Sequence, residues 1–242
     1  MTNRKRADVL LVERGLFDSR TRAKAAIEAG LVTADGVVLR KASDSIAVEA
    51  RLEATDHPWV SRGALKLIAA LDHFGFDPSG RVCLDVGAST GGFTEVLLAR
   101  GALRVIAVDV GRDQLHARLR GDPRVTSLEE TDIRALDPAR FIEPSDVATV
   151  DVSFISLRLV LPALGRLLHR PAQLVALVKP QFEAGRAHLK KGIVRDLAVH
   201  AAVCDDIVAF AGSLGWDVVG VIPSPIEGGE GNREFLLGAR MH

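Results

Sequence analysis

The stretch from Arg81 to Gly101 constrains the fold most, because a short apolar run leads there through a glycine-rich turn into an amphipathic segment. The run Val-Cys-Leu-Asp-Val is too short for a helix and suits a buried strand. After the turn, Phe93, Val96 and Leu97 recur at helical spacing, and Gly101 follows where a helix is expected to end. The stretch therefore predicts the strand–turn–helix unit that opens nucleotide-binding α/β sheets.

The turn itself is not a dinucleotide or P-loop motif. Its glycines, at positions 87, 91 and 92, lack the G-x-G-x-x-G spacing, and no Lys-Ser or Lys-Thr pair follows. Instead Asp85 stands two residues before the first glycine, where a carboxylate suits a cationic or hydrogen-bond-donating ligand better than a pyrophosphate. S-adenosylmethionine, with an ammonium, a sulfonium and a ribose diol but no phosphate, fits such a turn. The alternative is an ordinary turn whose acid only caps the helix.

Short apolar runs alternate with helical stretches from residue 81 onward, which predicts a parallel sheet covered by helices on both faces. The runs cover residues 81–87, 104–110, 124–129, 147–153 and 173–179. Three runs carry a charged residue at or near the C-terminal end: Asp109, Asp151 and Lys179. Open α/β sheets bind their ligands at that edge, so we expect the site there.

The last two predicted strands, 216–222 and 234–239, are joined by a loop too short for a crossover helix, so we expect them to be antiparallel. The fold class predicted for residues 61–242 is therefore α/β: a Rossmann-like class I methyltransferase sheet, parallel with an antiparallel C-terminal strand. NAD-binding domains normally lack that strand. The basic, glycine-marked segment 180–195 is expected to be a loop over the sheet edge, and a helix is expected after Asp196.

Residues 1–55 form a separate pattern of two short helices followed by a small sheet. Segments 7–15 and 20–29 read as helices, and Ser19 is placed to cap the second. An Ala-Asp-Gly turn predicts a hairpin, and 46–52 is expected to be a third strand. This order resembles the S4 RNA-binding domain, an α+β fold whose basic helix face lies on structured RNA.

Charge is balanced overall, with 31 basic and 31 acidic residues, but residues 1–24 hold seven basic residues against three acidic ones. The S4 resemblance implies contacts to RNA phosphates there. The RNA-binding candidates are Arg4, Lys5, Arg6, Arg20, Arg22, Lys24 and Arg62. The alternative is a small accessory domain with a solvated basic face. For Arg62 and Lys66, the alternative is that they are two solvated cations on a surface helix.

Several classes of protein are disfavoured by composition. The two cysteines lack metal-site spacing and the seven histidines form no H-x-x-x-H pair, so we expect no metal site. No apolar run is long enough to span a bilayer, and no signal-peptide core follows the basic start, so we expect a cytoplasmic protein with no membrane contact. Residues 56–60, around Pro58, are expected to link the two domains.

Four charged residues complete the pattern: Lys66, Asp151, Lys179 and Glu234. With the surrounding segments Ser-Arg-Gly-Ala-Leu-Lys, Asp-Val-Ser, Lys-Pro-Gln-Phe-Glu and Asn-Arg-Glu-Phe-Leu, the chain resembles the TlyA (haemolysin A) type of ribosomal RNA 2′-O-methyltransferase. That family joins an S4 domain to an FtsJ-like catalytic domain. The resemblance covers nearly the whole chain and fills all four positions of the family's Lys-Asp-Lys-Glu tetrad. It implies S-adenosylmethionine-dependent ribose methylation, with ribosomal RNA or ribosomal subunits as partner.

The resemblance also implies roles for the four residues. Lys179 contacts the 2′-oxygen and assists its deprotonation, Asp151 faces that lysine and the sulfonium side, and Lys66 and Glu234 complete the cluster. Which member accepts the proton stays open, because the groups are coupled. A structural salt-bridge cluster is the alternative.

The cofactor candidates follow the sheet edge. Asp85 and Gly87 are expected to line the methionine end, Asp109 to accept the ribose hydroxyls, and Asp132 to bind the adenine amino group, unless Asp132 is only a turn residue. The turn itself is shaped by Ser89, Thr90, Gly91, Gly92 and Phe93. No aromatic pair in the sequence indicates a base-stacking platform.

Three other functions compete with this one. They are a catalytically inactive S4-containing RNA-binding protein, a haemolysin-type membrane activity and an NAD enzyme. The complete tetrad argues against the first, the lack of a long amphipathic or apolar segment against the second, and the glycine spacing against the third.

Overall fold

In the computed structural model of the chain, the described residues are 4–17, 19–28, 30–54, 59–140 and 144–242. The chain divides into two compact units, residues 1–62 and residues 63–242. The linker predicted at 56–60 falls partly on residues 55–58, which lie outside the described part of the chain.

The N-terminal unit consists of β1 (Arg4–Arg6), α1 (Ala7–Glu13), α2 (Arg20–Glu28), β2 (Val32–Ala34), β3 (Val37–Val38), β4 (Ser45–Ala47) and β5 (Leu52–Ala54). Helices α1 and α2 pack together, and Leu11 and Ile27 are fully buried in their common core. The Ser19 hydroxyl accepts a backbone N–H of the first turn of α2 at 3.3 Å. Asp35 and Gly36 have positive φ angles and form the β2–β3 hairpin. The predicted helix pair and hairpin are confirmed.

The single strand predicted at residues 46–52 is wrong. Two strands of different sheets lie there, because β4 pairs with β1 whereas β5 pairs with β2. The chain turns between them, where the Ala50 N–H donates to the Ala47 carbonyl at 3.1 Å. The Arg14 guanidinium binds the Val48 and Ala50 carbonyls and fixes this turn. A distant arginine thus interrupts a segment that alternates like one strand.

The C-terminal unit begins with α3 (Gly63–Phe74), β6 (Val82–Val86), α4 (Gly92–Ala99), β7 (Arg104–Val108), α5 (Ala117–Arg120), β8 (Val125–Leu128), β9 (Ser145–Val150) and α6 (Leu157–Leu164). It continues with β10 (Leu168–Val178), α7 (Pro180–Glu183), α8 (Leu197–Ser213), β11 (Asp217–Pro223) and β12 (Phe235–Met241). Short 3-10 turns lie at 133–135, 138–140, 186–188 and 229–231. Part of the segment predicted as a loop at 180–195 is therefore helical, and the helix predicted after Asp196 is confirmed.

A seven-stranded sheet forms the centre of this unit, with the order β11-β12-β10-β9-β6-β7-β8. Strands β10, β9, β6, β7 and β8 run parallel, and β12 is antiparallel to both β10 and β11. This confirms the predicted α/β class, a parallel sheet with an antiparallel C-terminal strand. All five residues of β6 are buried, which explains why its apolar run does not alternate.

The core is built where helices cover the sheet. Val82, Leu84 and Val86 of β6 share one apolar cluster with Leu161 of α6 and Ile207 of α8. Helices α3 and α4 pack against each other, and α3 also contacts β12, β11 and β10. Because β10, β9, β6, β7 and β8 are parallel, their C-terminal ends lie at one edge of the sheet.

The contact between α3 and β12 leaves no room for a methyl group. A Cβ built on Gly238 of β12 would lie 2.5 Å from the Phe74 ring, whereas a Cβ on the neighbouring Gly220 of β11 would lie 3.6 Å from it. Phe74 is buried at the end of α3. The ring cannot move away from Gly238 without disturbing this helix.

We predict that Gly238→Ala lowers the free energy of unfolding by about 1–3 kcal/mol, because the added methyl group overpacks the core. Gly220→Ala is the matched control and should change it by less than about 0.5 kcal/mol. Denaturant unfolding followed by circular dichroism measures both. Equal effects of the two variants would contradict the packing described for Phe74.

Candidate functional site

Two lysine–carboxylate pairs lie at the C-terminal edge of the parallel strands. Lys179 directly follows β10 and its Nζ lies 2.6 Å from Oδ1 of Asp151, which directly follows β9. Lys66, on the first turn of α3, pairs with Glu234, which directly precedes β12. Strand β12 runs antiparallel to β10, with Phe235 opposite Val178. Glu234, which precedes Phe235, and Lys179, which follows Val178, therefore lie at the same edge of the sheet.

Burial makes the two members of each pair depend on each other. Lys66, Lys179 and Glu234 are only 6%, 7% and 4% exposed. A buried charge without its partner is strongly unfavourable. Each lysine therefore stabilises its carboxylate, and each carboxylate stabilises its lysine. The alternative that Lys66 is a solvated cation on a surface helix is therefore wrong.

Lys179 has a further partner that the sequence did not indicate. Its Nζ donates to the Ser153 hydroxyl at 3.0 Å in addition to pairing with Asp151, and it lies 6.0 Å above the Phe182 ring. An ammonium group has three donors. Within the described part of the chain, the third donor of Lys179 has no hydrogen-bond partner, so it is available to a ligand oxygen.

The glycine turn after β6 is pressed against Asp151. Gly87 has a φ of +82°, and a Cβ on it would overlap the Asp151 carbonyl oxygen. The Asp151 N–H donates to the Val86 carbonyl at 2.9 Å. Only glycine meets both requirements, so Gly87 fixes the position of the turn relative to the Lys179–Asp151 pair.

Asp85 lies beneath this turn rather than in it. Its side chain is fully buried, and its two oxygens accept the hydroxyls of Thr94 on α4, at 2.7 Å, and Thr149 on β9, at 2.9 Å. Burial raises the pKa of Asp85 to about 6; the nearby charge of Asp151 also raises it, and the two hydroxyl hydrogen bonds oppose the shift. In this geometry the carboxylate braces the turn, and its contact with the methionine end of a cofactor stays a prediction.

The remaining cofactor candidates cluster at the neighbouring strand end. The Asp109 carboxylate accepts the backbone N–H of Ser89 at 2.8 Å and that of Gly111 at 2.7 Å. Each carboxylate oxygen has a second lone pair, so Asp109 can still accept ribose hydroxyls. Thr90 contributes its carbonyl to the loop, where it accepts the His116 N–H at 3.2 Å.

The other glycines of the turn serve the start of α4. Gly91 caps the helix with a φ of +98°, and the Leu119 side chain fills the space where its Cβ would lie. Gly92 and Phe93 are the first helical residues and both are buried. Phe93 therefore belongs to the core beneath the turn, and its cofactor contact stays a prediction.

Asp132 caps the 3-10 turn at 133–135. Its Oδ1 accepts the Arg134 N–H at 2.9 Å, and its carboxylate pairs with the Arg134 guanidinium at 2.6 Å. Hydrogen bonds from the Arg134 side chain lower the pKa of Asp132. This is the geometry of the turn-residue alternative, and adenine binding by Asp132 stays a prediction.

The N-terminal unit presents its basic residues around a buried acid. Asp8, 4% exposed, accepts two hydrogen bonds from Arg6, at 2.9 and 3.1 Å, and two from Arg20, at 2.7 and 3.2 Å. The bonds from Arg6, and to a lesser extent those from Arg20, hold the pKa of Asp8 well below its usual range against the effect of burial. The side chains of Arg6 and Arg20 remain 51% and 61% exposed.

The other RNA-binding candidates differ in their surroundings. Lys5 pairs with Glu13 at 2.7 Å, and Arg4 donates to Ser45. Arg22 and Lys24 lie exposed on α2. Arg62 is half-buried and directly precedes α3. Their contacts with RNA stay predictions.

The structure brings together an aromatic pair that was not expected from the sequence. Phe154 and Phe182 have ring centroids 5.1 Å apart, beside Ser153 and Lys179. Phe154 is 90% exposed and has a φ of +63°, a rare conformation for a bulky residue. The Glu183 carboxylate holds the loop that carries Phe154, by accepting the Ser156 hydroxyl at 2.5 Å and a backbone N–H of α6 at 2.8 Å.

Two further observations concern metal ligands and helix length. No group of three or more His, Cys, Asp or Glu side chains in the described ranges is placed to hold a metal ion. Within the same ranges, none of the helices has the length and apolar character needed to cross a membrane.

Comparisons with known proteins agree with this architecture. Residues 59–241 match the FtsJ-like methyltransferase family and residues 5–52 match the S4 domain. The chain is 46% identical to the 16S/23S rRNA (cytidine-2′-O)-methyltransferase TlyA of Mycobacterium tuberculosis, over 99% of this chain and 91% of that protein. It is 48% identical to YqxC of Bacillus subtilis, over 98% of this chain and 86% of that protein.

A solved structure supports the same assignment. A Streptococcus thermophilus protein described as a hemolysin superposes with a TM-score of 0.78 at 44% identity, covering 100% of this chain and 90% of that one. The sheet and its matches define the class as an FtsJ-like methyltransferase with an N-terminal S4 domain. Within that class, the chain belongs to the TlyA (haemolysin A) family, as its resemblance predicted.

The buried position of Asp85 generates a prediction about pH. Burial raises the pKa of Asp85 to about 6 in the folded state, whereas its pKa in the unfolded chain is about 3.8. The folded protein therefore keeps this proton over a pH range in which the unfolded chain has lost it. The contribution of Asp85 to stability therefore falls as the pH rises through this window, and above it the buried charge costs about 3 kcal/mol.

We predict that Asp85→Asn removes this dependence. The free energy of unfolding of the variant, relative to the unchanged protein, should rise by about 2 kcal/mol between pH 4 and pH 7. Denaturant titrations across this range measure it, with the exposed Asp205→Asn as a control that should show no comparable rise. A difference that does not vary with pH would contradict the buried, proton-binding state of Asp85.

Proposed function

We propose that the protein transfers the methyl group of S-adenosylmethionine to a ribose 2′-hydroxyl of ribosomal RNA, while its S4 domain docks on structured RNA. The observation that carries the proposal is the pair between the buried Lys179 and Asp151, 2.6 Å apart, placed directly against the glycine turn. The M. tuberculosis relative is named for this reaction on cytidine. We place the activity in the cytoplasm, with ribosomal RNA or ribosomal subunits as the partner.

The turn at 87–92 fits S-adenosylmethionine. Gly87 and Gly91 let the turn pack tightly against Asp151 and Leu119, and Asp109 presents carboxylate oxygens with spare acceptor capacity at the next strand end. We propose that Asp109 holds the ribose diol and that Ser89 and Thr90 line the turn beside it. When bound, this cofactor supplies the electrophilic methyl group.

We propose that Lys179 positions the 2′-oxygen for in-line attack on that methyl group. Its two partners, Asp151 and Ser153, hold the ammonium group in place. The remaining N–H donates to the 2′-oxygen and orients it for attack. As the new oxygen–carbon bond forms and the sulfur–carbon bond breaks, the hydroxyl proton passes into the Lys-Asp-Lys-Glu cluster. The acceptor belongs to the coupled cluster rather than to one assigned member.

The aromatic pair gives the site a face for the target base. We propose that Phe154, 90% exposed beside the Lys179 cluster, stacks on the base whose ribose is methylated, and that Phe182 supports it from below. Stacking on an exposed aromatic ring is a common way to hold an unpaired RNA base. No observation on the described residues favours the inactive RNA-binding protein or the haemolysin-type activity.

Substituting Lys179 tests the proposed reaction. Lys179→Ala should lower the rate of labelled methyl transfer to ribosomal subunits by about 10²–10⁴-fold, because the nucleophile loses its positioning group. Cofactor affinity, measured by calorimetry, should change little. Lys190→Ala, an exposed lysine of the following loop, is the control and should keep the full rate. Full activity of Lys179→Ala would show that the tetrad assignment is wrong.

The Asp8 cluster yields a prediction with an unusual sign. If Asp8 positions Arg6 and Arg20 for phosphate contacts, then Asp8→Asn should weaken binding of ribosomal RNA about three- to tenfold, although it removes a negative charge. Glu13→Gln removes a charge that pairs with the exposed Lys5, and should leave binding unchanged or strengthen it.

Filter binding of the full chain to ribosomal RNA at several salt concentrations measures both variants. Circular dichroism at the assay temperature verifies that each is folded. If Asp8→Asn strengthens binding as much as Glu13→Gln does, Asp8 contributes only its charge and the positioning role is contradicted.

A further inference from the structure

A second concave site lies beside the Lys66–Glu234 pair. It is a cavity of about 520 Å³ formed by the segment before α8, the first turn of α8 and the loop between β11 and β12. Its lining includes Val194, Arg195, Leu197, His200, Glu227 and Arg233. A cavity of this volume is large enough for one nucleotide. None of the functions assigned above uses it.

The two loops that form the cavity are fixed to each other. Asn232, 5% exposed, donates from its Nδ2 to the Gly192 carbonyl and to the Gly229 carbonyl, both at 3.2 Å. The Gly228 N–H also donates to the Asn232 carbonyl at 2.8 Å. The buried amide of Asn232 therefore links the two loops and fixes the walls of the cavity.

The charge of the cavity suits an anion. Two guanidiniums, of Arg195 and Arg233, line it against the single carboxylate of Glu227. Among the side chains that the structure describes, neither arginine forms an ion pair. Arginine is the side chain best suited to bind phosphate through paired hydrogen bonds.

His200 adds a group that lacks a partner. It is 4% exposed, and its Nε2 lies 2.9 Å from the Val194 carbonyl, which can only accept. In the neutral ring, Nε2 therefore carries the hydrogen and Nδ1 is the acceptor. Within the described residues, Nδ1 has no hydrogen-bond partner, and buried acceptors without one are rare. Nδ1 is itself buried, so a ligand donor satisfies it when the ring turns or the cavity wall shifts.

The cavity shares its loop with the catalytic candidates. Arg233 directly precedes Glu234, and Gly228 lies so close to the Glu234 carboxylate that a Cβ there would overlap it. The cavity therefore adjoins the Lys66–Glu234 pair.

We propose that this cavity binds the nucleotide of the substrate RNA that neighbours the methylated one. Arg195 and Arg233 bind its backbone phosphate, and the His200 Nδ1 accepts a hydrogen bond from a ribose hydroxyl or base amino group. This inference rests on the proposed function, since it extends the RNA site of the same reaction.

Charge-removing variants test the phosphate contacts. Arg195→Gln and Arg233→Gln should each raise the Kd for ribosomal RNA about three- to tenfold and reduce the slope of log Kd against log salt by about one. Affinity for S-adenosylmethionine should not change. Arg170→Gln, an exposed arginine in the N-terminal half of β10, is the matched control and should leave the slope as it is.

The binding measurement separates this inference from the proposed function, because it needs no turnover. If the unchanged protein binds RNA and methylates it while both cavity variants behave like Arg170→Gln, the cavity inference fails alone. If the unchanged protein methylates no ribosomal RNA, the proposed function fails, and the RNA-binding slopes still decide whether the cavity contacts phosphate.

Nitrogen-15 NMR of the histidine rings in the full chain tests the contact with His200 without a substitution. The resonance of the unprotonated Nδ1 of His200 should move upfield when ribosomal RNA carrying the target segment is added, as it gains a hydrogen bond. An unchanged resonance at saturating RNA would overturn the role given to His200.

Discussion

The site depends on the burial of two lysines next to two carboxylates at one sheet edge. Lys66 and Lys179 are stable there only because Glu234 and Asp151 accompany them, since an unpaired buried charge costs several kcal/mol. The four residues come from a helix and three different strands. The order β12-β10-β9 places those strand ends side by side, so the pairing of these charges depends on the tertiary arrangement of the strands.

This requirement joins the cofactor turn to the proposed chemistry. The turn after β6 is held from below by Asp85, which bonds to both α4 and β9, and from the side by the contact of Gly87 with Asp151. A change in the turn is therefore transmitted to the strand end that carries Asp151. The glycine stretch first indicated only a ligand of the S-adenosylmethionine type; the structure shows that it also sets the position of one carboxylate of the tetrad.

Much of this arrangement follows from the sequence, and the limits have physical causes. The run at 81–101, the antiparallel end of the sheet and the basic helix pair are encoded by local patterns, and the family resemblance supplied the tetrad. Burial of Lys66 depends on Glu234, 168 residues away, so it cannot be predicted from helical spacing. The break within 46–52 likewise depends on Arg14, and the Phe154–Phe182 pair forms only when two strand ends meet.

The central claim is that ribose, and not a base, is methylated in ribosomal RNA. The most direct measurement is mass-spectrometric mapping of ribosomal RNA after ribosomal subunits are incubated with the protein and S-adenosylmethionine. We expect a new 2′-O-methylated nucleotide that appears only when both are present. Ribosomal RNA that gains a methyl group on a base, or gains none, would contradict it.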